Sequence, residues 1–168
     1  MAAEEHASRT SSEAIIWVLN ALTAVSIEAF DDRMKLQKLA YLAREMGLDC
    51  GLAFDWYVRG PYSPSLTRIL FAADELGMLR IENPPLNDSE KNVVKSIKEL
   101  LGTDIDDPRG LELIASVWYF LPKGTLSRKE RNAIVRKLVE CKPQFSGEEI
   151  SRTINRILRF RRKKQHTS

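Results

Sequence analysis

The chain has few of the residues on which enzyme and metal sites most often depend. Its 168 residues include only two histidines, His6 and His166, and two cysteines, Cys50 and Cys141. Both histidines fall in the expected tails, so the commonest general base and metal ligand is missing from any core site. The two cysteines make neither a disulfide framework nor a metal set, and each is interpreted as a small buried hydrophobe. We therefore expect a reduced, cytoplasmic protein without cofactor, metal or enzymatic activity.

Long apolar segments and ligand-binding loops are also missing. The longest apolar run, residues 113–121, is interrupted by Ser116 and is too short to span a bilayer. No glycine-rich loop is followed by the lysine that a phosphate site needs. The acidic stretch at residues 104–110 differs from a calcium loop, because Pro108 replaces a ligand and Arg109 the required glycine. These absences disfavour membrane, nucleotide and calcium functions.

Charge is distributed unevenly along the chain. Residues 121–168 carry 14 lysines and arginines against 4 acidic residues, a balance of +10. Residues 1–120 carry 12 against 19, a balance of −7. A basic segment of this kind favours an anionic partner, either nucleic acid or an acidic protein face. The alternative is that it pairs with the acidic body of the same molecule or of a dimer mate.

Four sequence patterns mark helix starts. In each, a side-chain oxygen precedes a glutamate by three residues, the spacing of a capping box: Thr10 and Glu13, Asn87 and Glu90, Ser127 and Glu130, Ser146 and Glu149. Proline at the first helical position, after Ser63 and after Asp107, marks two more. Together with apolar side chains at helical spacing, these signals predict seven helices: 11–25, 33–46, 64–76, 87–101, 107–120, 127–140 and 146–162.

A short strand is expected between the second and third helices. Residues 54–59 alternate between apolar and polar side chains, which predicts a half-buried strand. The side chains expected to face the core are those of Phe54, Trp56 and Val58. Gly60 and Pro61 are expected to form the turn into the next helix.

The order of elements over residues 11–86 suits a winged helix. Residues 78–83, "MLRIEN", predict a second strand that would complete a wing, with residues 83–87 as its tip. In such a domain the helix before the wing enters a DNA groove. We expect a mainly α (α+β) protein with these parts: a disordered leader 1–10, a winged-helix-like body 11–121 with a small β-hairpin, a basic C-terminal helical pair 122–163 and a tail 164–168.

Several segments carry a family resemblance. In this order and spacing they resemble the Panacea domain of SocA-type antitoxins and the related YwgA-like proteins: "KLQKLAYLA" (35–43), "GPYSPSL" (60–66), "ADELGML" (73–79) and "LELIASVWYF" (111–120). The resemblance covers about residues 30–121 and leaves the basic segment 122–168 outside it. It implies a largely helical fold with winged-helix character. The antitoxin members neutralise toxins by direct protein contact, and the YwgA-like branch has no agreed activity. The resemblance therefore implies a binding protein rather than an enzyme.

The segment "RGPYS" admits two interpretations. The free N–H groups at the start of helix 64–76, with Arg59 beside them, would suit an anion. Alternatively, Gly60 and Pro61 form a turn, Tyr62 packs against the body and Ser63 caps the helix.

Helix 64–76 has few side chains suited to contact with DNA phosphates, because Arg68 is its only basic residue and two of its residues are acidic. The candidate partner-binding residues of the body are Arg59, Tyr62, Ser65 and Arg68.

The last helix is amphipathic and basic. Arg152, Arg156 and Arg159 recur at spacings of four and three, so they share one face, and Arg161 and Arg162 extend the charge. Such a helix binds nucleic acid, an acidic protein or, less well here because aromatic anchors are scarce, a membrane. The alternative is a last helix packed on the core with a solvated tail.

We therefore expect a non-enzymatic binding protein, antitoxin-like or regulatory, that acts by contact with a protein partner, either a toxin-like protein or a second copy of the chain in a homodimer. The alternative is a winged-helix DNA- or RNA-binding transcriptional regulator that uses the basic C-terminal helix. A nucleic-acid binder loses affinity steeply with salt and needs the arginines. A toxin-neutralising protein keeps its activity without them.

Overall fold

The computed structural model describes residues 10–167, so nearly all of the predicted disordered leader lies outside the described residues. The prediction of a mainly helical fold with a small β-hairpin is confirmed. The elements are α1 (Ser11–Leu22), α2 (Phe30–Glu45), β1 (Asp55–Tyr57), β2 (Gly60–Tyr62), α3 (Pro64–Glu75), α4 (Asp88–Leu101), a 3₁₀ helix (Gly102–Asp106), α5 (Pro108–Phe120), α6 (Arg128–Cys141) and α7 (Gly147–Gln165).

Helix starts follow the capping signals in the sequence. All four predicted capping boxes are formed, at the starts of α1, α4, α6 and α7. Ser63 caps α3 and Asp107 caps α5, each followed by a proline in the first turn. Helix α2 begins at Phe30, earlier than predicted, so that Asp31 and Asp32 lie in its first turn. There their carboxylates face the positive end of the helix dipole.

Helices α2 and α5 form the centre of the core. The prediction that α2 is buried on more than one side is confirmed, since Leu36, Leu39 and Leu42 are all fully buried. Helix α7 packs against α5 and α4 through its predicted apolar stripe, and one hydrophobic cluster joins residues of α1 to α5 with those of α7. Helix α6 buries only Leu138 and lies on the outside. Between residues 10 and 167, no helix is both long and apolar enough to cross a membrane.

The β-hairpin lies between α2 and α3, and two expectations about it are wrong. Strand β1 pairs antiparallel with β2, with Tyr57 opposite Gly60, so Val58 and Arg59 make the turn. Gly60 and Pro61, expected as the turn, belong to β2. Val58, expected to face the core, is 89% exposed because the tight turn carries it beyond the end of the strand ladder.

The predicted strand at residues 78–83 is not formed, and the sheet has only β1 and β2. Asn20 of α1 supplies the reason. Its amide donates to the Leu79 carbonyl oxygen (2.9 Å) and accepts from the Ile81 N–H (2.9 Å). These side-chain bonds satisfy backbone groups that a neighbouring strand would otherwise satisfy. The element needed for a wing after α3 is therefore missing from residues 78–83.

We predict that Asn20→Ala lowers the free energy of unfolding by about 2 kcal/mol, because it leaves two backbone groups of residues 79–81 without partners. Urea denaturation measures the loss, and amide hydrogen exchange should show faster opening at Ile81. The control is Asn132→Ala on the exposed surface of α6, which makes the same intrinsic change in helix propensity. Equal effects of the two substitutions would contradict the assigned role of Asn20.

Candidate functional site

Gln37 joins α2 to the residues between the hairpin and α3. Its amide donates to the Ser63 carbonyl oxygen (2.9 Å) and accepts from the Ser63 N–H (2.9 Å). The same amide donates to Thr67 Oγ1 (3.0 Å), which is also bonded to the Tyr62 hydroxyl (2.8 Å). Both Gln37 and Ser63 are buried. Two of the segments that carry the family resemblance are thus hydrogen-bonded to each other.

Lys38 lies beneath the hairpin and is only 1% exposed. Its ammonium donates to the Pro61 carbonyl oxygen (2.8 Å). Burial lowers the pKa of Lys38 to about 8, and repulsion from the Lys142 ammonium adds to this effect. Gly60 lies directly above, and a Cβ there would come within 2.7 Å of Ser116 Oγ. Its φ of 88° also favours glycine, so both space and backbone conformation require this residue.

A buried carboxylate lies on the other side of the hairpin turn. Glu112 of α5 accepts from the Lys142 ammonium (2.6 Å) and from the Gln144 amide (3.2 Å). Arg59 Nη1 approaches the second carboxylate oxygen of Glu112 to 3.5 Å. Lys142 also donates to the Val58 carbonyl oxygen (2.7 Å). The turn is therefore supported from below by a cluster of opposite charges with more cations than anions.

An open groove of about 300 Å³, here called the hairpin groove, lies between α2, the hairpin and α3. Most of the surface that it exposes is apolar. Seven large apolar side chains are exposed between residues 10 and 167, and four of them line this groove: Phe30, Tyr57, Val58 and Phe71. Their concentration at one place distinguishes the groove from the scattered exposed apolar residues that any protein surface carries.

The charged side chains that line the hairpin groove are all cationic: Arg33, Lys38 and Arg59. Arg33 Nη1 donates to the carbonyl oxygens of Ile27 (2.7 Å) and Glu28 (2.9 Å), which holds its guanidinium at the rim. The Arg59 guanidinium lies over the ring of Phe30, 5.5 Å from its centroid, and the side chain is 55% exposed. An apolar groove with cations at its floor and rim suits an apolar ligand that carries a negative charge.

The structure brings together two of the four candidate residues of the body. Arg59 and Tyr62 both line the hairpin groove. Ser65 and Arg68 do not line it; the Arg68 guanidinium donates to Ser65 Oγ (3.0 Å) on the neighbouring face of α3. Ser63 caps α3 by accepting from the Leu66 N–H, and Arg59 points to Glu112 rather than to the start of that helix. This arrangement agrees with the cap in the second interpretation of "RGPYS", whereas the turn expected at Gly60 and Pro61 lies at Val58 and Arg59 instead.

The five candidate arginines of α7 have different environments. Arg156 donates to the Leu100 (3.0 Å) and Leu101 (2.8 Å) carbonyl oxygens at the end of α4 and pairs with Asp104. Arg161 donates to the Pro122 carbonyl oxygen (2.8 Å) and stacks on Trp118. Arg152 pairs with Glu148 on the exposed surface. Only Arg159 and Arg162 extend into solvent without an ion pair to any residue from 10 to 167.

The polar residues beneath the groove were not predicted from the sequence. Gln37 and Lys38 lie within the apolar pattern of α2, and Glu112 lies at the start of an apolar run. A charged residue between fully buried neighbours is itself a signal, because burying it requires a partner of opposite charge or several hydrogen bonds. Lys142 gives no such signal, since its burial depends on where the segment after α6 crosses the hairpin.

Side chains suited to metals do not cluster. Between residues 10 and 167, no three histidine, cysteine or acidic side chains come close enough to hold a metal ion. Cys50 is buried as expected, and burial raises the pKa of its thiol. The same expectation is wrong for Cys141, which is exposed because α6 touches the core only lightly. His166 is exposed in the last turn, and His6 lies outside the described residues.

Comparison of the chain with family models, curated proteins and solved structures finds no match.

We predict that stability at alkaline pH depends on Lys38. The unfolded lysine keeps its proton up to a pKa near 10.5, whereas the folded one loses it at about 8. The cost of burying the charge is therefore fully present below pH 8 and is relieved as the pH rises. From about pH 8 to 10, the free energy of unfolding of the native protein should rise by about 2 kcal/mol relative to that of Lys38→Met.

Urea denaturation across this pH range measures the difference. The matched control is Lys91→Met, which removes a lysine from the exposed surface of α4 and should keep the pH dependence of the native protein. If the native and Lys38→Met proteins have parallel stability curves, Lys38 does not titrate in this range.

We predict that Arg156 and Arg152, one turn apart on α7, differ strongly in their effect on stability. Arg156→Leu should lower the free energy of unfolding by about 2–3 kcal/mol, because the last carbonyl groups of α4 lose a charged donor. Arg152→Leu should lower it by less than about 0.5 kcal/mol, because the pair with Glu148 is exposed. Chemical denaturation measures both losses. Similar losses for the two substitutions would contradict the conclusion that Arg156 stabilises the fold and Arg152 does not.

Proposed function

We propose that the protein is a non-enzymatic binding protein, antitoxin-like or regulatory, that contacts another protein through the hairpin groove. The observation that carries this proposal is the gathering of four exposed apolar side chains around a groove whose charged lining is entirely cationic. Aromatic side chains and arginine are the residues most enriched at the energetic centres of protein interfaces. Phe30, Tyr57, Phe71 and Arg59 supply both types at one place.

The lining favours a partner segment with apolar side chains and a carboxylate. A space of about 300 Å³ is at the lower end of the range for enclosed ligand sites and accommodates a few side chains. The Arg59 guanidinium has five N–H donors, and its one carboxylate contact, with Glu112, is 3.5 Å long. Its exposed side therefore keeps donors for a carboxylate of the partner. An acidic residue or a chain terminus provides that group.

The family resemblance supports the antitoxin-like form of the proposal. "KLQKLAYLA" provides Gln37 and Lys38 of the groove floor, and "GPYSPSL" provides the strand and helix cap that they hold. Two of the segments that carry the resemblance thus build one wall and the floor of the groove. In the antitoxins that the chain resembles, neutralisation occurs by direct protein contact.

The winged-helix form of the alternative has less support. Residues 78–83 form no strand beside the hairpin, so α3 is not followed by a wing. Helix α3 presents Arg68, bonded to Ser65, together with Asp74 and Glu75, a poor set for contact with phosphates. We therefore do not assign DNA reading to α3.

The proposal is tested by site-specific photo-cross-linking in the cell that makes the protein. A photoreactive residue replaces Val58, which is exposed at the groove, and in a parallel experiment it replaces Lys91 on α4. We expect a cross-linked protein specific to position 58. That protein is then purified, and its affinity for the native chain is measured by calorimetry.

We predict that Val58→Asp weakens binding to that partner by at least tenfold, because it places a carboxylate where the partner's own carboxylate is expected. Val58 has few contacts, so the fold should be unaffected. Met78→Asp, an equally polar change at another exposed apolar residue, is the control and should bind normally. Unchanged affinity of Val58→Asp, or identical cross-links from positions 58 and 91, would overturn the proposal.

A further inference from the structure

Helices α6 and α7 form an antiparallel helical hairpin on the outside of the molecule. The Arg131 guanidinium donates to the Ser151 carbonyl oxygen (3.1 Å) and to Asn155 Oδ1 (2.8 Å), and Gly147 lies against Val135. The start of α6 therefore lies beside the middle of α7, and the second half of α6 beside the first turn of α7. This register brings together cations that are more than twenty residues apart in the sequence.

Seven exposed cations on this helical hairpin form no ion pair with any residue between 10 and 167. One of them, Lys137, lies over the ring of Phe120, 4.5 Å from its centroid. The other six are Arg128, Lys129, Arg136, Arg159, Arg162 and Lys163. On α6 they recur at a spacing of about two turns, and on α7 at spacings of three and four, so each helix presents them on one side. Both sides face away from the stripe that is buried against α5. We call this surface the basic face.

Most acidic residues near the basic face are engaged elsewhere; Glu99 of α4, which pairs with Lys164, also lies near Lys163. Glu148 is paired with Arg152, and Glu149 with Arg109. Glu130 is used in the cap of α6, where its contacts with Ser127 lower the pKa of its carboxyl. Glu140 lies at the loop end of the hairpin, away from the first turn of α6. The potential at the open end of the hairpin is therefore strongly positive.

We propose that the basic face binds the phosphodiester backbone of nucleic acid without reading its sequence. Arginine and lysine side chains on rigid helices suit phosphates, and no base-reading group is required. With a rise of 1.5 Å per residue, Arg128 and Arg136 are about 12 Å apart along α6. This matches the width of the major groove of B-DNA, so that α6 spans the phosphates on its two edges.

A nucleic acid fits this surface better than a membrane does. A membrane-bound amphipathic helix buries large apolar side chains beside its cations. The only large apolar side chain exposed on α6 and α7 is Val139, 38% exposed and close to the loop end. Serine and asparagine, Ser151 and Asn132, occupy the cleft between the two helices instead, and both are neutral partners for phosphate oxygens.

This surface is not the one that the sequence analysis selected. Five arginines of α7 were predicted from the sequence to bind a partner. Two of them, Arg156 and Arg161, instead donate hydrogen bonds to backbone carbonyl oxygens of the same chain. Arg128, Lys129 and Arg136 of α6 take their place. The proposal is also independent of the hairpin groove, because the two surfaces share no residue.

The first measurement is fluorescence anisotropy of a short labelled DNA duplex with the full chain, between about 50 and 200 mM salt. If all six cations neutralise phosphates, affinity falls about a thousandfold over this range. A single-stranded RNA of the same length and vesicles of neutral and anionic lipid are measured in parallel. Binding should not depend on the duplex sequence.

The deciding variant is Arg128→Gln/Lys129→Gln/Arg136→Gln, which removes three charges from the basic face. Its matched control is Lys91→Gln/Lys95→Gln/Lys98→Gln, which removes three charges from the exposed side of α4. We expect the first to lose affinity and to have about half the salt dependence of the native protein. The control should keep the native salt dependence.

Three outcomes would overturn the proposal: no binding to either nucleic acid at about 50 mM salt, equal losses in the two triple variants, or binding to anionic vesicles alone. Binding to RNA but not to the duplex would keep the phosphate contact and reject the fit to the major groove. Because Val58→Asp leaves the basic face unchanged, it should bind nucleic acid normally, so failure of the groove proposal is distinguishable from failure of this one.

Discussion

The paired hydrogen bonds between the Gln37 amide and the Ser63 backbone are the contact on which the rest of the site depends. They fix one short segment against α2, one of the two central helices, and the Lys38 ammonium in the same way fixes the carbonyl group of Pro61, two residues earlier. The hairpin and the start of α3 therefore hold one position relative to α2. Without this attachment a two-stranded hairpin of three-residue strands is too short to be stable. These bonds fix the hairpin side of the groove relative to α2.

The charges beneath the hairpin reduce the stability of the fold but fix the position of the hairpin. Burying Lys38, Lys142 and Glu112 costs free energy that apolar residues of similar size would not cost. Each charge instead has a directed partner in the hairpin or beside it: a carbonyl group of Pro61 or Val58, or the Glu112 carboxylate. The arrangement leaves a positive excess under the groove. An apolar surface above a cationic floor discriminates against purely apolar ligands as well as against cations.

Local signals in the sequence predicted most of the helices. The features that were predicted wrongly depend on contacts between residues far apart in the sequence. Capping boxes and apolar stripes involve residues three or four apart, so the starts of α1, α4, α6 and α7 were predictable. The segment 78–83 has the composition of a strand, but its backbone partner is a side chain of α1 about sixty residues earlier. Helical spacing likewise showed which arginines share a side of α7. It did not show that Arg156 would meet the end of α4.

Of the four candidate partner-binding residues of the body, Arg59 and Tyr62 line the groove, and none of the polar residues of its floor was predicted. The exposed apolar residues at the groove come from α2, the hairpin and α3, and no spacing along the chain relates them. Their proximity follows from the packing of the hairpin against two helices, which only the fold determines.

The burial of the Glu112 charge depends on Lys142, a residue far away in the sequence. It lies 84 residues from Val58 and 30 from Glu112, yet it bonds to both. Contacts of such long sequence separation form late, because closing a long loop costs entropy before the contact compensates for it. Until the segment after α6 arrives, the Glu112 carboxylate has no buried cation beside it. Translation or proteolysis that ends the chain before residue 142 leaves the buried Glu112 carboxylate with the 3.5 Å contact to Arg59 but without the Lys142 ammonium, so the segment after α6 contributes to the burial of this charge.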